Sequence, residues 1–169
     1  MKIIFALVAV IALVGCGNNA AVEFGMNDEA VLDSEFGDIG MKIRGIELPE
    51  GDTYTTIWEG VEYVQIELRN SDFVSITNDY RGVAPGSYSN VRITVDSVVY
   101  VQETSSTVLI DTLFQFVAQA FAPLVIDEGD ELQLVVVIAS ENWFDLNTGS
   151  IIPGSQVFEG AALRIHYDY

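Results

Sequence analysis

Cysteine is almost missing from this chain: Cys16 is the only one in 169 residues, so no internal disulfide can form. Histidine is as scarce. His166 stands alone, which leaves no His/Cys set of the kind that holds zinc. It alternates with Ile165 and Tyr167 near the C-terminus, a pattern that places it on the solvent side of a strand and away from any nucleophile it would have to activate. No G-x-G-x-x-G or Walker pattern occurs, so the sequence offers no phosphate-cradling loop. Carboxylates are plentiful, and chance pairs among 25 acidic residues do not define a glycosidase. These gaps lead us to expect no enzyme.

Positive charge is the next shortage. Lysine occurs only at positions 2 and 42, and seven basic residues face 25 acidic ones, a formal charge of −18. Every acidic residue lies after Cys16, so the chain without its first 15 residues carries −19. A surface this acidic repels nucleic acid and anionic headgroups, and attracts cations. Nucleic acid is excluded as an expected partner.

What is present is densest at the N-terminus. Met1-Lys2 is followed by an unbroken apolar run, Ile3 to Val14, and then by Gly15-Cys16-Gly17-Asn18-Asn19. A charged start, a short apolar run and a small residue before a break form a secretory signal peptide over residues 1–15. The run falls short of the roughly 20 residues a spanning helix needs. Leu13-Val14-Gly15-Cys16 resembles the lipobox of bacterial lipoproteins. The resemblance implies that the Cys16 thiol receives diacylglycerol, that the chain is cut before it, and that the membrane is a partner through the lipid. Two or more acyl chains hold a protein stably, whereas one does not. Gly17 stands where some proteobacterial lipoproteins retained at the inner membrane carry Asp, so the resemblance implies the outer membrane in an organism that has one.

Residues 16–38 read as the lipidated Cys and an acidic tether, with a short first strand near Val22 to Phe24. Residues 39–169 read as one domain of a size that folds on a hydrophobic core alone. Apolar residues there recur with period two, the mark of half-buried strands. Ile39, Met41 and Ile43 alternate, Gly45 permits a bulge, and Ile46 and Leu48 continue. Val64, Ile66 and Leu68 form a second set, and Val91, Ile93 and Val95 a third. Arg92, on the opposite face of that third strand, is expected to meet a cross-strand carboxylate. Before it, Pro85 and Gly86 make a turn, Gly86 being free to take positive φ, and Tyr88 is expected to cover the core edge with its hydroxyl on backbone. Residues 111–122 fit either a helix capped by Asp111 or a strand lined by Phe114, Phe116, Ala118 and Ala120; the β character of their neighbours favours the strand. Leu132 to Ile138 is the most apolar segment and the expected central strand, and Ala161 to Tyr167 the last. The fold class is all-β: a single antiparallel β-sandwich of Ig-like or prealbumin-like type.

Two segments, residues 39–48 (IGMKIRGIEL) and 84–95 (APGSYSNVRITV), with the acidic-Gly turn and apolar strand of residues 126–134, resemble the domain of unknown function numbered 4382. That family occurs in exported bacterial and archaeal proteins and lipoproteins. The likeness spans about residues 38–145, and departs at Thr104 to Phe121 and at Asn142-Trp143-Phe144. It implies a β-sandwich at the cell surface and assigns no catalytic residue.

Candidate sites are few. Calcium, which needs only oxygens, has weak candidates in Asp127 and Asp130, in Asp145 and Asn147, and in Asn27-Asp28-Glu29 with Asp33; none has EF-hand spacing. Trp58, Trp143 and Phe144, with Tyr54 and Tyr80, are candidate ligand contacts if exposed, and lids on the core if not. The expected function is a non-catalytic envelope lipoprotein that displays a binding surface for a glycan or a surface protein. The alternatives are an assembly subunit pairing through edge strands and a carbohydrate-binding module. Composition leaves the oligomeric state open.

Overall fold

The computed structural model describes residues 18–29 and 37–166. The leader, Cys16, Asp33 and Tyr167 lie outside them. Among the described residues the chain forms twelve strands: β1 (Ala20–Asn27), β2 (Asp38–Glu50), β3 (Thr53–Glu67), β4 (Val74–Ser75), β5 (Arg81–Val83), β6 (Gly86–Gln102), β7 (Ser105–Ile110), β8 (Phe114–Ile126), β9 (Glu131–Val137), β10 (Phe144–Asp145), β11 (Ser150–Ile151) and β12 (Ala162–His166). The helical element there is a single 3₁₀ turn, Ser140–Asn142. No helix of the described residues is long and apolar enough to cross a membrane.

Ten strands form one sheet in the order β3-β2-β6-β8-β12-β9-β1-β4, with β5 added on β1 and β7 on β6; β10 and β11 make a separate hairpin. The sheet curls nearly into a barrel, an all-β, sandwich-like fold as expected. Residues 114–122 lie in β8, as the strand reading holds, and residues 111–113 make the bend between β7 and β8. Most pairs are antiparallel, but β1 runs parallel to β9 and β12 parallel to β8.

Curling requires bends, and the bends sit where the apolar alternation changes parity. On β2 the inward set is Ile39, Met41 and Ile43, then Ile46 and Leu48, all buried. The bulge expected at Gly45 inserts the extra residue that brings both sets to one face. On β6 the inward set passes from Val91, Ile93 and Val95 to Val98 and Tyr100 by the same device, with Asp96 as the extra residue. The β3 register also shifts here, between Ile46 and Glu47 of β2. Three adjacent strands therefore bend at one level, and Arg44 reaches Asp96 across the bend at 3.7 Å.

The short first strand expected near Val22 to Phe24 is present and longer, Ala20–Asn27, and the tether reading is corrected for the rest of that span. Ala20, Val22, Phe24 and Met26 are at most 1% exposed, and β1 is inserted between β9 on one side and β4 and β5 on the other. The alternation that carries it, Ala-x-Val-x-Phe-x-Met, begins four residues after Cys16. At Gly25 a Cβ would lie 2.4 Å from the Phe73 ring, so a larger residue would displace that ring. Gly86 is corrected too: it opens β6 and is not among the positive-φ glycines. Tyr88 does what the turn requires, with its hydroxyl donating to the Ala84 carbonyl at 2.6 Å.

One polar latch ties three loops at the far end of β1. Asp28 is fully buried and accepts from the Ser140 N–H at 2.9 Å, the Ser140 hydroxyl at 2.5 Å and the Arg69 N–H at 2.8 Å. Arg69 and Ala139 both sit at positive φ, 63° and 50°, a conformation that costs a non-glycine residue about 1 kcal/mol or more. The carboxylate offsets that cost by satisfying the amides these turns present. Asp28→Ala leaves two buried donors and one half-buried donor without an acceptor and should lower unfolding free energy by about 3 kcal/mol in urea melts. A loss below about 1 kcal/mol would mean that the loops find other partners.

Candidate functional site

The aromatic candidates divide by burial. Trp143 is fully buried and Phe144 is 3% exposed. The Trp143 indole N–H donates to the Ile138 carbonyl at 2.9 Å, and its ring meets Phe158 edge-on at 5.2 Å. Of the two readings, ligand contact and lid on the core, burial decides for the lid at both positions. Trp58 lies within β3 opposite Ile46, half-buried and packed against the core, and not in an exposed turn. Tyr54 stacks under Arg92 at 4.0 Å and donates to Asn90 at 2.8 Å. Tyr80 is 40% exposed. These five do not converge on one surface.

The oxygen clusters are turn caps. The Asp145 carboxylate accepts from the Asn147 N–H at 2.9 Å and the Thr148 hydroxyl at 3.0 Å, contacts that hold its carboxyl below the usual range. Asp130 accepts from the Asp127 N–H at 2.8 Å, closing its own turn. Among the described residues no three His, Cys, Asp or Glu side chains gather as a metal site. His166 lies against the Phe73 ring, with centroids 5.0 Å apart.

The feature that sequence reasoning missed is a cleft of about 630 Å³ at the seam between β8 and β12. It arises because the parallel ladder between these strands covers only Gln119 and Ala120. The Gln119 N–H reaches the Ala161 carbonyl at 3.1 Å. By strand alternation, the N–H and C=O groups of Val117 and Gln115 point the same way. Among the described residues no backbone partner meets them, since β12 begins only at Ala162. The cleft is lined by Phe114 and Phe116 from β8, by Ile110, and by Val157 and Phe158 from the returning loop. Phe158, itself at φ 64°, plugs the gap from inside, 4.4 Å from the Phe116 ring centroid. The cleft holds one carboxylate, Glu159, and no basic side chain. Two larger clefts, of about 760 and 840 Å³, have mainly charged and polar walls.

The best-made ion pair borders the smaller of these two polar clefts, which Glu47 lines. Arg92 and Glu47 face each other across β6 and β2 and join through two hydrogen bonds, at 2.7 and 2.8 Å. This is the cross-strand carboxylate expected for Arg92. No protein-family model, curated protein or solved structure matches the chain.

The Arg92 donors hold the Glu47 carboxyl below its usual range, against a partial desolvation that pushes it up; the Arg92 charge adds to the lowering. The stability this contributes is present above the unfolded carboxyl value, about 4.3, and is lost as pH falls through the lower folded value. Glu47→Gln should therefore cost about 1 kcal/mol at pH 7. The gap to the native protein should close as pH falls below about 4, read from urea midpoints along a pH series. A gap that persists unchanged at low pH would contradict this assignment.

Proposed function

We propose that this chain is an exported, lipid-anchored binding domain that takes up an extended segment of another surface protein along the open edge of β8. The observation that carries the reading is the pair of outward backbone groups at Gln115 and Val117 beside an apolar cleft. An added strand gains main-chain hydrogen bonds from such an edge, and alternate side chains enter the adjoining pocket. Phe114, Phe116 and Phe158 suit aliphatic or aromatic side chains, and the acidic surface suits basic flanks. Export and lipid attachment rest on the leader and Cys16, with which the implied setting of the 4382-type likeness agrees. A non-catalytic role fits a cleft whose ionisable side chain is a lone Glu159. The glycan alternative loses support because Trp143 and Phe144 are core residues.

Pairing of two copies along the same edge is the rival reading. A charge of −19 on each copy opposes it at low salt. Selection of ten-residue peptides from a displayed library, against the full chain, tests both. Bound peptides should protect the Gln115 and Val117 amides from hydrogen exchange. Val117→Pro removes the edge donor without touching the β6 ladder, and should weaken binding about tenfold or more. Peptides that protect another edge, or that bind the proline variant equally well, would overturn the cleft assignment. Sedimentation showing dimers abolished by Val117→Pro would favour pairing of copies.

A further inference from the structure

β8 has a second unusual property, on its outer face and towards its other end. Residues 112–126 carry no charge, although Asp111 and Asp127 bracket them in a chain with 25 acidic residues. Val117, Phe121 and Val125 point outward from this strand with exposures of 37, 107 and 62%. Phe121 stands fully clear of the protein because the ladder with β6 is interrupted between Gln119 and Leu124. The flanking strands present little free charge. Ser87, Arg92 and Thr94 lie opposite Val125, Val117 and Gln115 on β6, and Arg92 is neutralised by Glu47. On β12, Arg164 is paired with Glu29.

The start of the domain lies at the same end as Val125. The Asn18 N–H donates to the Glu128 carboxylate at 2.9 Å, and the Ala21 N–H to the Asp130 carbonyl at 2.7 Å. The chain therefore enters the fold beside the turn that follows β8. Cys16 is two residues before Asn18, a span of about 7 Å at most. A lipid on Cys16 would hold this turn within about 10 Å of the headgroups. The turn at that end carries Asp127, Glu128 and Asp130, with Glu131 opening β9 beside them, and an upright stance on them is opposed by anionic lipid and by the cost of dehydrating carboxylates.

We infer that the domain leans onto the membrane through the Phe121–Val125 half of β8, with Phe121 entering the headgroup and acyl boundary. This rests on the lipid anchor proposed above. The occupant is a lipid surface because covalent attachment confines the domain beside one and this uncharged face is adjacent to the attachment point. Apolar side chains at the interface add to the hold of acyl chains. The β8 edge at Gln115 and Val117 lies at the opposite end of the strand and stays accessible.

The test uses the full chain purified from the membrane fraction and reconstituted in phosphatidylcholine vesicles. Phe121→Cys and, as a control on β7, Val108→Cys are each labelled with an environment-sensitive dye. Both positions are exposed, so neither substitution disturbs the core. Doxyl-labelled lipid should quench the dye at 121 about twofold more than at 108, with a blue-shifted emission at 121. Flotation with equal quenching at both sites would overturn the docking face while leaving the lipid anchor standing. Failure to float, with an unacylated Cys16 by mass, would overturn the anchor and the docking face together. A dye at 121 that is shielded without lipid, in a protein-concentration-dependent way, would assign the face to a second copy and overturn the inference.

Discussion

The buried strand Ala20–Asn27 is the constraint on which the rest of the structure depends. Its inward residues Ala20, Val22, Phe24 and Met26 fill the middle of the core, and its parallel ladder with β9 runs from Ala21 to Asn27. On its other edge it collects β4 and β5, which approach β3 and bring the ends of the sheet together. Asp28, immediately after it, latches three loops. Removing this strand would open the core along its length, and with no disulfide available nothing covalent would hold the remainder closed.

The same strand links fold to function. Because β1 starts so soon after Cys16, a lipid there would set the domain against its membrane and not at the end of a long acidic leash. Charge then sorts the faces. On the proposed anchor, the acidic turns would favour water, the uncharged outer face of β8 would tolerate lipid, and the β8 edge at the other end would face away. One strand would thus serve both proposed surfaces, since side chains on one face point outward while its backbone lies open at the seam with β12. Both follow from an incomplete ladder, short towards β12 and interrupted towards β6.

Much of the sheet was legible in the sequence where alternation is strict and one face is buried. The β2, β6 and β12 segments read correctly on that basis, and β9 from its apolar run; the bulge at Gly45, the Tyr88 hydroxyl and the carboxylate partner of Arg92 were legible too. The alternation Ala20-x-Val22-x-Phe24-x-Met26 gave a short strand near Val22 to Phe24, but the Asn, Asp and Glu around it read as tether and hid the strand's full length and its place in the core. The parity change between Val95 and Val98 carried the second bulge in plain view. The parallel pairs were not legible, because alternation fixes which face a strand shows and not which distant strand it meets. The cleft escaped for the same reason: Phe114, Phe116 and Phe158 come together only where β12 fails to follow β8. Trp143 and Phe144 were ambiguous because burial of an aromatic in a loop depends on whether that loop folds inward.

Native-state hydrogen exchange on the full chain tests the central claim most directly. If β1 is integral to the core, its amides exchange only through global unfolding, with the same free energy and urea dependence as those of β9. Exchange of the β1 amides orders of magnitude faster than those of β9, with no urea dependence, would return residues 20–27 to a tether and contradict the account.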